Sequence, residues 1–204
     1  MRINKKKFIY LISPNKISSN FYKQLNLVFK TGKVSFFQLR LKKYSIKKKY
    51  LIGTKIKKIC KKYKVKFLIN DDALLAKKLD ADGCHLGQKD MSLKDAREII
   101  GRKIIGITCH NSIKLAKIAI KSNASYLAFG AFFSTKTKKT QFRANSKILI
   151  KANKLTKIPL VAIGGINRNN YKNLLLNKAN FLAISGYIWN NKKLKPHDAI
   201  ERLR

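Results

Sequence analysis

The sequence predicts an α/β fold, a single (β/α)8 barrel of the TIM type, on three observations. The chain has 204 residues, enough for one domain with a real core. Eight short apolar or β-branched runs recur along it at fairly even spacing. Segments with apolar residues at helical spacing lie between them. Eight strand–helix repeats fit a closed barrel near the lower size limit of that fold; an open doubly wound sheet more usually has about five or six strands. No linker, low-complexity tail or break in composition divides the chain, so residues 1–204 are expected to form one domain.

The expected strands are Phe8–Ile12, Val34–Leu41, Val65–Ile69, Gly83–Leu86, Ile104–Thr108, Tyr126–Phe129, Pro159–Ile163 and Phe181–Ser185. Several are continuous rather than alternating, as in a parallel sheet covered on both faces. Ser92 is placed to cap a helix in which Leu93, Ala96, Ile99 and Ile100 share one face. Leu115, Ile118 and Ala119 share a face of the next helix, and Ile148, Leu149 and Ala152 of the one after.

Composition narrows the function. No apolar run approaches the ~20 residues that span a bilayer. The apolar part of the basic N-terminal stretch, Phe8–Ile12, is too short for a signal-peptide core of ~7–15 residues. A soluble, cytoplasmic protein with no membrane partner is expected. Against 9 acidic residues stand 47 basic ones, a net charge of +38, which attracts polyanions non-specifically. Only 8 of the 47 are Arg, however, and the lysines are spread between the apolar segments. Specific nucleic-acid readers lean on Arg forks and interleaved aromatics. The charge is read as compositional drift on solvated helix faces, compatible with an anionic small-molecule substrate and with no specific nucleic-acid partner. A homo-oligomer stays open. Cys60, Cys84 and Cys109 are odd in number and lack CxxC spacing, which argues against a disulfide framework and a zinc site. Cys84 and Cys109 are expected in the core.

In a (β/α)8 barrel, chemistry sits just past the C-terminal ends of the strands. The second run ends in Gln38-Leu39-Arg40-Leu41-Lys42, whose alternation puts three long donors on one side, a clamp suited to a diphosphate. The third ends in Asn70-Asp71-Asp72, and Asp90 follows the fourth. Seven of the nine acids fall between Asp71 and Glu98. Carboxylates at adjacent strand ends suit Mg²⁺, which takes a few carboxylates plus substrate phosphates. Asp71 and Asp90 are the candidate ligands; Asp71 is expected to face solvent, repelled by nearby acids. Asp72 and Asp95 are assigned to helix caps.

The fifth run supplies Thr108 and His110, the latter a possible general base or a structural residue. His85 reads as a satisfied barrel residue. The loop Ser134–Thr140 is dense in hydroxyls and ammonium groups and could cover an anion. Gly164-Gly165 after the seventh run and Ser185-Gly186 after the eighth suit a phosphate held by backbone amides. The sum is two anionic groups: a Mg²⁺-linked diphosphate near strands 2–4 and a monophosphate near strands 7–8.

These motifs, in this order, resemble the thiamine phosphate synthase and thiazole tautomerase superfamily over nearly the whole chain, from Phe8 to Trp189. The resemblance is carried by Gln38–Lys42, Ile69–Asp72, Ala81–Asp90, Gly106–His110, Phe129–Phe133, Thr135–Lys139 and Ala162–Ile166. It implies a Mg²⁺-dependent transferase that joins hydroxymethylpyrimidine diphosphate to a thiazole phosphate, releasing pyrophosphate. By the same resemblance Gln38, Arg40, Lys42 and Asn70 hold the pyrimidine diphosphate, and Asp71 and Asp90 bind Mg²⁺. Thr108 stands where the family usually has Ser. Thr135 and Thr137 match the thiazole-phosphate loop, Lys138 the lysine that contacts pyrophosphate, and Gly165, Ile184 and Ser185 the positions facing the thiazole phosphate. Arg40, Lys42 and Lys138 are the expected catalytic cations.

The segment 140–147 departs from the acidic, glycine-containing continuation common in the family, and Asn180 replaces an acid often found before strand 8. A thiazole tautomerase is the nearest alternative, but that branch typically has His where this chain has Ala131. A basic nucleic-acid-binding protein on a barrel scaffold is the distant alternative, and Asp71 and Asp90 at the mouth speak against it.

Overall fold

The computed structural model describes residues 7–135 and 142–203. Eight parallel strands close a barrel in chain order: β1 (Ile9–Ile12), β2 (Val34–Leu39), β3 (Lys66–Asn70), β4 (Gly83–Leu86), β5 (Ile104–His110), β6 (Tyr126–Gly130), β7 (Leu160–Ile163) and β8 (Phe181–Ile184), with β8 pairing back to β1. The connections carry α1 (Phe21–Lys30), α2 (Ile46–Tyr63), α3 (Ala73–Lys78), α4 (Leu93–Ile100), α5 (Ile113–Lys121), α6 (Lys147–Leu155), α7 (Tyr171–Leu176) and α8 (Gly186–Trp189), and α9 (Pro196–Glu201) follows. The chain is thus a (β/α)8 barrel, as its periodicity predicts.

Strand alternation sorts the apolar residues into two cores. On β1, Ile9 and Leu11 join the shell between sheet and helices, while Tyr10 and Ile12 point into the barrel. The interior is filled by Tyr10, Leu68, Tyr126 and Val161, with Phe36 and Phe181 packed against them. Both faces of each strand are therefore covered, which explains the continuous apolar runs. Ser45, Asp72, Ser92 and Ser112 cap α2–α5, each side chain accepting from the amide three residues on. Asp95 accepts from the Ser92 hydroxyl at 2.7 Å, so Asp72 and Asp95 are the cap residues the sequence suggests.

Three details differ from the sequence reading. Strand β2 stops at Leu39 rather than Leu41. Strand β5 runs on to His110, its register against β6 shifting between Thr108 and His110, which accommodates Cys109 as an extra residue. On α5 the buried residues are Ala116 and Ala119, while Ile118 is 53% exposed. Small alanines are what lie fully buried on this helix, and apolar spacing alone did not choose between its neighbouring stripes. The three cysteines are free and buried, and burial pushes the Cys84 and Cys109 thiols up to about 12. Among the described residues no helix is long and apolar enough to cross a membrane.

Candidate active site at the mouth of the barrel

A cavity of about 500 Å³ opens at the C-terminal ends of the strands. Gln38, Arg40, Lys42, Asn70, Asp71, Asp90, Thr108, Thr135, Gly165, Ile184 and Ser185 all line it. Thr137 and Lys138 lie outside the described residues.

The wall formed by β2–β4 is made of side chains. Gln38 is 3% exposed, and its amide donates to Asn70 Oδ1 at 2.7 Å, so each orients the other. Ser13, just past β1, accepts from the Arg40 amide at 2.9 Å and fixes the strand end from which Arg40 projects. Lys42 Nζ lies 3.0 Å from Asp71 Oδ2. Asp71 has φ +64°, and its amide donates to the His85 carbonyl at 2.8 Å. Its carboxylate is half-buried and ion-paired, which corrects the expectation of a solvent-facing acid repelled by its neighbours.

The two candidate metal ligands are within hydrogen-bonding reach of each other, and their titrations diverge. Burial pushes the Asp71 carboxyl up, but Lys42 and the bond shared with Asp90 outweigh it and hold the group below the usual carboxylate value. Asp90 is raised, by burial first and by the adjacent Asp71 charge, against a 2.7 Å hydrogen bond that its Oδ2 accepts from the Gly87 amide. Among the described residues no three His, Cys, Asp or Glu cluster as a complete metal cage. Two facing carboxylates beside a cationic clamp are nevertheless an oxygen-donor set that fits Mg²⁺, which keeps open positions for water and substrate phosphate.

His85 sits in the floor, bonded to the Tyr126 hydroxyl through Nδ1 and to the Thr108 hydroxyl through Nε2. It is the satisfied barrel residue the sequence suggests. His110, with φ +52°, lies 4.0 Å beneath the Phe142 ring, centroid to centroid.

The wall formed by β7–β8 is made of backbone. Gly164 and Gly165 have φ +106° and +64°, and a Cβ on Gly165 would sit 2.3 Å from the Ser134 carbonyl oxygen. Only glycine lets the β7 loop lie this close to the β6 loop. Ser185 donates to the Ser13 carbonyl at 3.1 Å, and α8 starts at Gly186 on the cavity wall.

Ser13, Phe142 and Asn167 escaped the sequence reading. Ser13 bonds to the ends of both β2 and β8, and the strand-end rule could have found it. Asn167 directly follows the Gly-Gly-Ile motif and lines the cavity. The Phe142 carbonyl accepts from the Ala131 amide at 3.2 Å, an arrangement with no local signal.

Residues 9–188 match a family model described as thiamine monophosphate synthase. A thiamine-phosphate synthase of Pelagibacter ubique is 66% identical across 100% of this chain and 100% of its own. One of Erythrobacter litoralis is 41% identical over 89% of this chain and 87% of that protein. Among solved structures, thiamine phosphate pyrophosphorylase from Pyrococcus furiosus superposes with a TM-score of 0.86 at 29% identity, covering 99% of this chain and 95% of that one.

Proposed function

The chain belongs to the thiamine monophosphate synthase family, which makes it a transferase of thiamine biosynthesis, and we propose how its own residues perform the coupling. The substrates are hydroxymethylpyrimidine diphosphate and a thiazole phosphate or its carboxylate; the products are thiamine phosphate and pyrophosphate. One observation carries this reading. A single cavity opposes the clamp of Gln38, Arg40, Lys42 and Asn70 to the glycine-built wall at Gly165, Ile184 and Ser185, with two carboxylates beside the clamp. Two anionic substrates that must meet need such an arrangement.

Gln38 and Asn70 hold the pyrimidine side, and Arg40 and Lys42 the diphosphate. Lys42 now neutralises Asp71 and is free to turn toward phosphate oxygens when the site fills. Asp71 and Asp90 would hold Mg²⁺, which when bound would offset the charge of the diphosphate. The bond between the pyrimidine methylene and the diphosphate oxygen breaks with its electron pair on the leaving group. Arg40, Lys42 and, by resemblance, Lys138 stabilise that charge, while the electron-rich aminopyrimidine bears the methylene cation. The thiazole nitrogen, its phosphate held from the β7–β8 wall and, by resemblance, by Thr135 and Thr137, then forms the new bond. No general base is needed. Positioning and preorganised charge supply the rate.

Ala131 lines the cavity and offers no proton-transfer group, which weighs against the tautomerase alternative. We further propose that residues 1–204 act in the cytoplasm as one domain, on small molecules alone. DNA retention at low salt then reflects the +38 charge and disappears as salt rises.

The test is a coupling assay: purified protein, both substrates and Mg²⁺, with thiamine phosphate followed with and without EDTA. Mg²⁺-dependent product is expected. No product with any divalent metal would overturn the proposal, and thiazole isomerisation without coupling would favour the tautomerase.

A further inference from the structure

Beneath the cavity, four side chains form a continuous hydrogen-bonded row through the barrel interior. Tyr10 Oη is 2.7 Å from Tyr126 Oη, which is 2.8 Å from His85 Nδ1; His85 Nε2 is 2.9 Å from Thr108 Oγ1. Tyr10 and Tyr126 are 1% and 3% exposed, packed with Phe36 in the apolar interior. The sheet makes room for the row: a Cβ on Gly106 would lie 1.8 Å from the Tyr126 ring. Thr108 stands at the open end, on the cavity wall.

Such a row can run in either of two directions, and its closed end selects one. Among the described residues Tyr126 is the hydrogen-bond partner of the Tyr10 hydroxyl. If Tyr10 accepted from Tyr126, its own O–H would be buried without an acceptor, an arrangement folded proteins avoid. Burial keeps both phenols protonated. Tyr10 therefore donates to Tyr126, and Tyr126 donates to His85 Nδ1. His85 then carries its proton on Nε2 and donates to Thr108 Oγ1. With its oxygen already accepting, the Thr108 hydroxyl is left to donate into the cavity.

We propose that Tyr126 and His85 are positioning residues that set Thr108 as a hydrogen-bond donor to the pyrimidine diphosphate, with Tyr10 only closing the buried end of the row. The substrate half of this statement rests on the synthase reading of the cavity. With the row reversed, Thr108 would donate to His85 and show an anionic substrate only lone pairs.

Two readouts test it. The first is ¹⁵N NMR of the His85 ring in the unliganded full chain, assigned by its loss in His85→Gln; the sequence has only 3 His. The proton is expected on Nε2, with Nδ1 bare. In Tyr10→Phe, Tyr126 becomes the closed end, so the tautomer should persist and kcat/KM should stay within about twofold. The second readout is a double-mutant cycle. Tyr126→Phe should lower kcat/KM about tenfold in the natural chain but no more than about twofold in Thr108→Val, while Thr108→Ser keeps activity within about threefold. A proton on Nδ1, or an equal Tyr126→Phe loss in both backgrounds, would overturn the proposal. If Tyr126→Phe fails to fold, the tautomer and Tyr10→Phe decide. An Nε2 proton in a protein that makes no product would overturn the substrate assignment and leave the row standing.

Discussion

The two walls of the cavity are prepared for charge in different ways. The β2–β4 wall uses side chains, and its carboxylates are held by neighbouring groups: Lys42 on Asp71, and Asp71 against Asp90. The β7–β8 wall uses main chain, with two glycines at positive φ and the start of α8, and none of the described residues lining it carries a charge. A wall of side chains must be neutralised while empty, and its carboxylates are displaced from their ordinary titration. A backbone wall is set by close packing, and its weak point is steric. Each wall should therefore fail in its own way.

The largest effect expected is from Asp71→Ala. Coupling should fall by roughly 10³ or more at saturating Mg²⁺, as when charge stabilisation of a transition state is lost. The circular-dichroism spectrum should be unchanged, because the following helix is capped by Asp72. Collapse of that spectrum would make Asp71 a structural residue and remove the contrast.

Gly165→Ala should break the other wall. Its Cβ would meet the Ser134 carbonyl at 2.3 Å in a backbone with φ +64°, so the β6 and β7 loops must part. KM for the thiazole phosphate should rise about tenfold with that of the pyrimidine little changed, and unfolding should show a loss of about 1–3 kcal/mol. Equal effects on both substrates would mean that the walls are not independent.

A smaller effect concerns pH. Asp90 titrates above its ordinary value, so the folded chain holds this proton to higher pH than the unfolded chain does. Its contribution to stability is greatest below the unfolded value and declines as pH rises through the folded one. Asp71, held low, behaves oppositely: its contribution is present above the unfolded value and is lost as pH falls through the folded one. Asp90→Asn should therefore raise Tm of the metal-free protein at neutral pH by a degree or two, roughly, since Asp90 itself is exposed. The gain should shrink as pH falls through the folded value and vanish by about pH 3, about a unit below the ordinary carboxyl value, where the group is neutral in either state. A lower Tm at neutral pH would mean that the Gly87 hydrogen bond outweighs the repulsion.

The smallest effect, a control outside both walls, is Ile118→Ser. At 53% exposure it should change stability by no more than about 0.5 kcal/mol in denaturant unfolding.

What the sequence revealed divides along similar lines. The eight strands were legible because each repeats a short apolar run, and Gln38, Arg40 and Lys42 because alternation shows in the chain itself. The caps at Asp72 and Ser92 are equally local. Contacts between distant segments were not legible. Lys42 meets Asp71 only once β2 and β3 are paired, and Ser13 reaches β2 and β8 only in the closed barrel. Gly106 reads as a strand residue until the Tyr126 ring from the neighbouring strand is seen in the space its side chain would fill. Ile118 was misjudged because a helix with apolar residues on adjacent stripes leaves its buried face to the packing.

The most direct test of the two-wall account is calorimetric titration of each substrate alone, with Mg²⁺ and with EDTA. With Mg²⁺ proposed to be held by Asp71 and Asp90 on the β2–β4 wall alone, EDTA should weaken the pyrimidine diphosphate by about tenfold or more and leave the thiazole phosphate within about twofold. Equal weakening of both substrates, or of the thiazole phosphate alone, would contradict it.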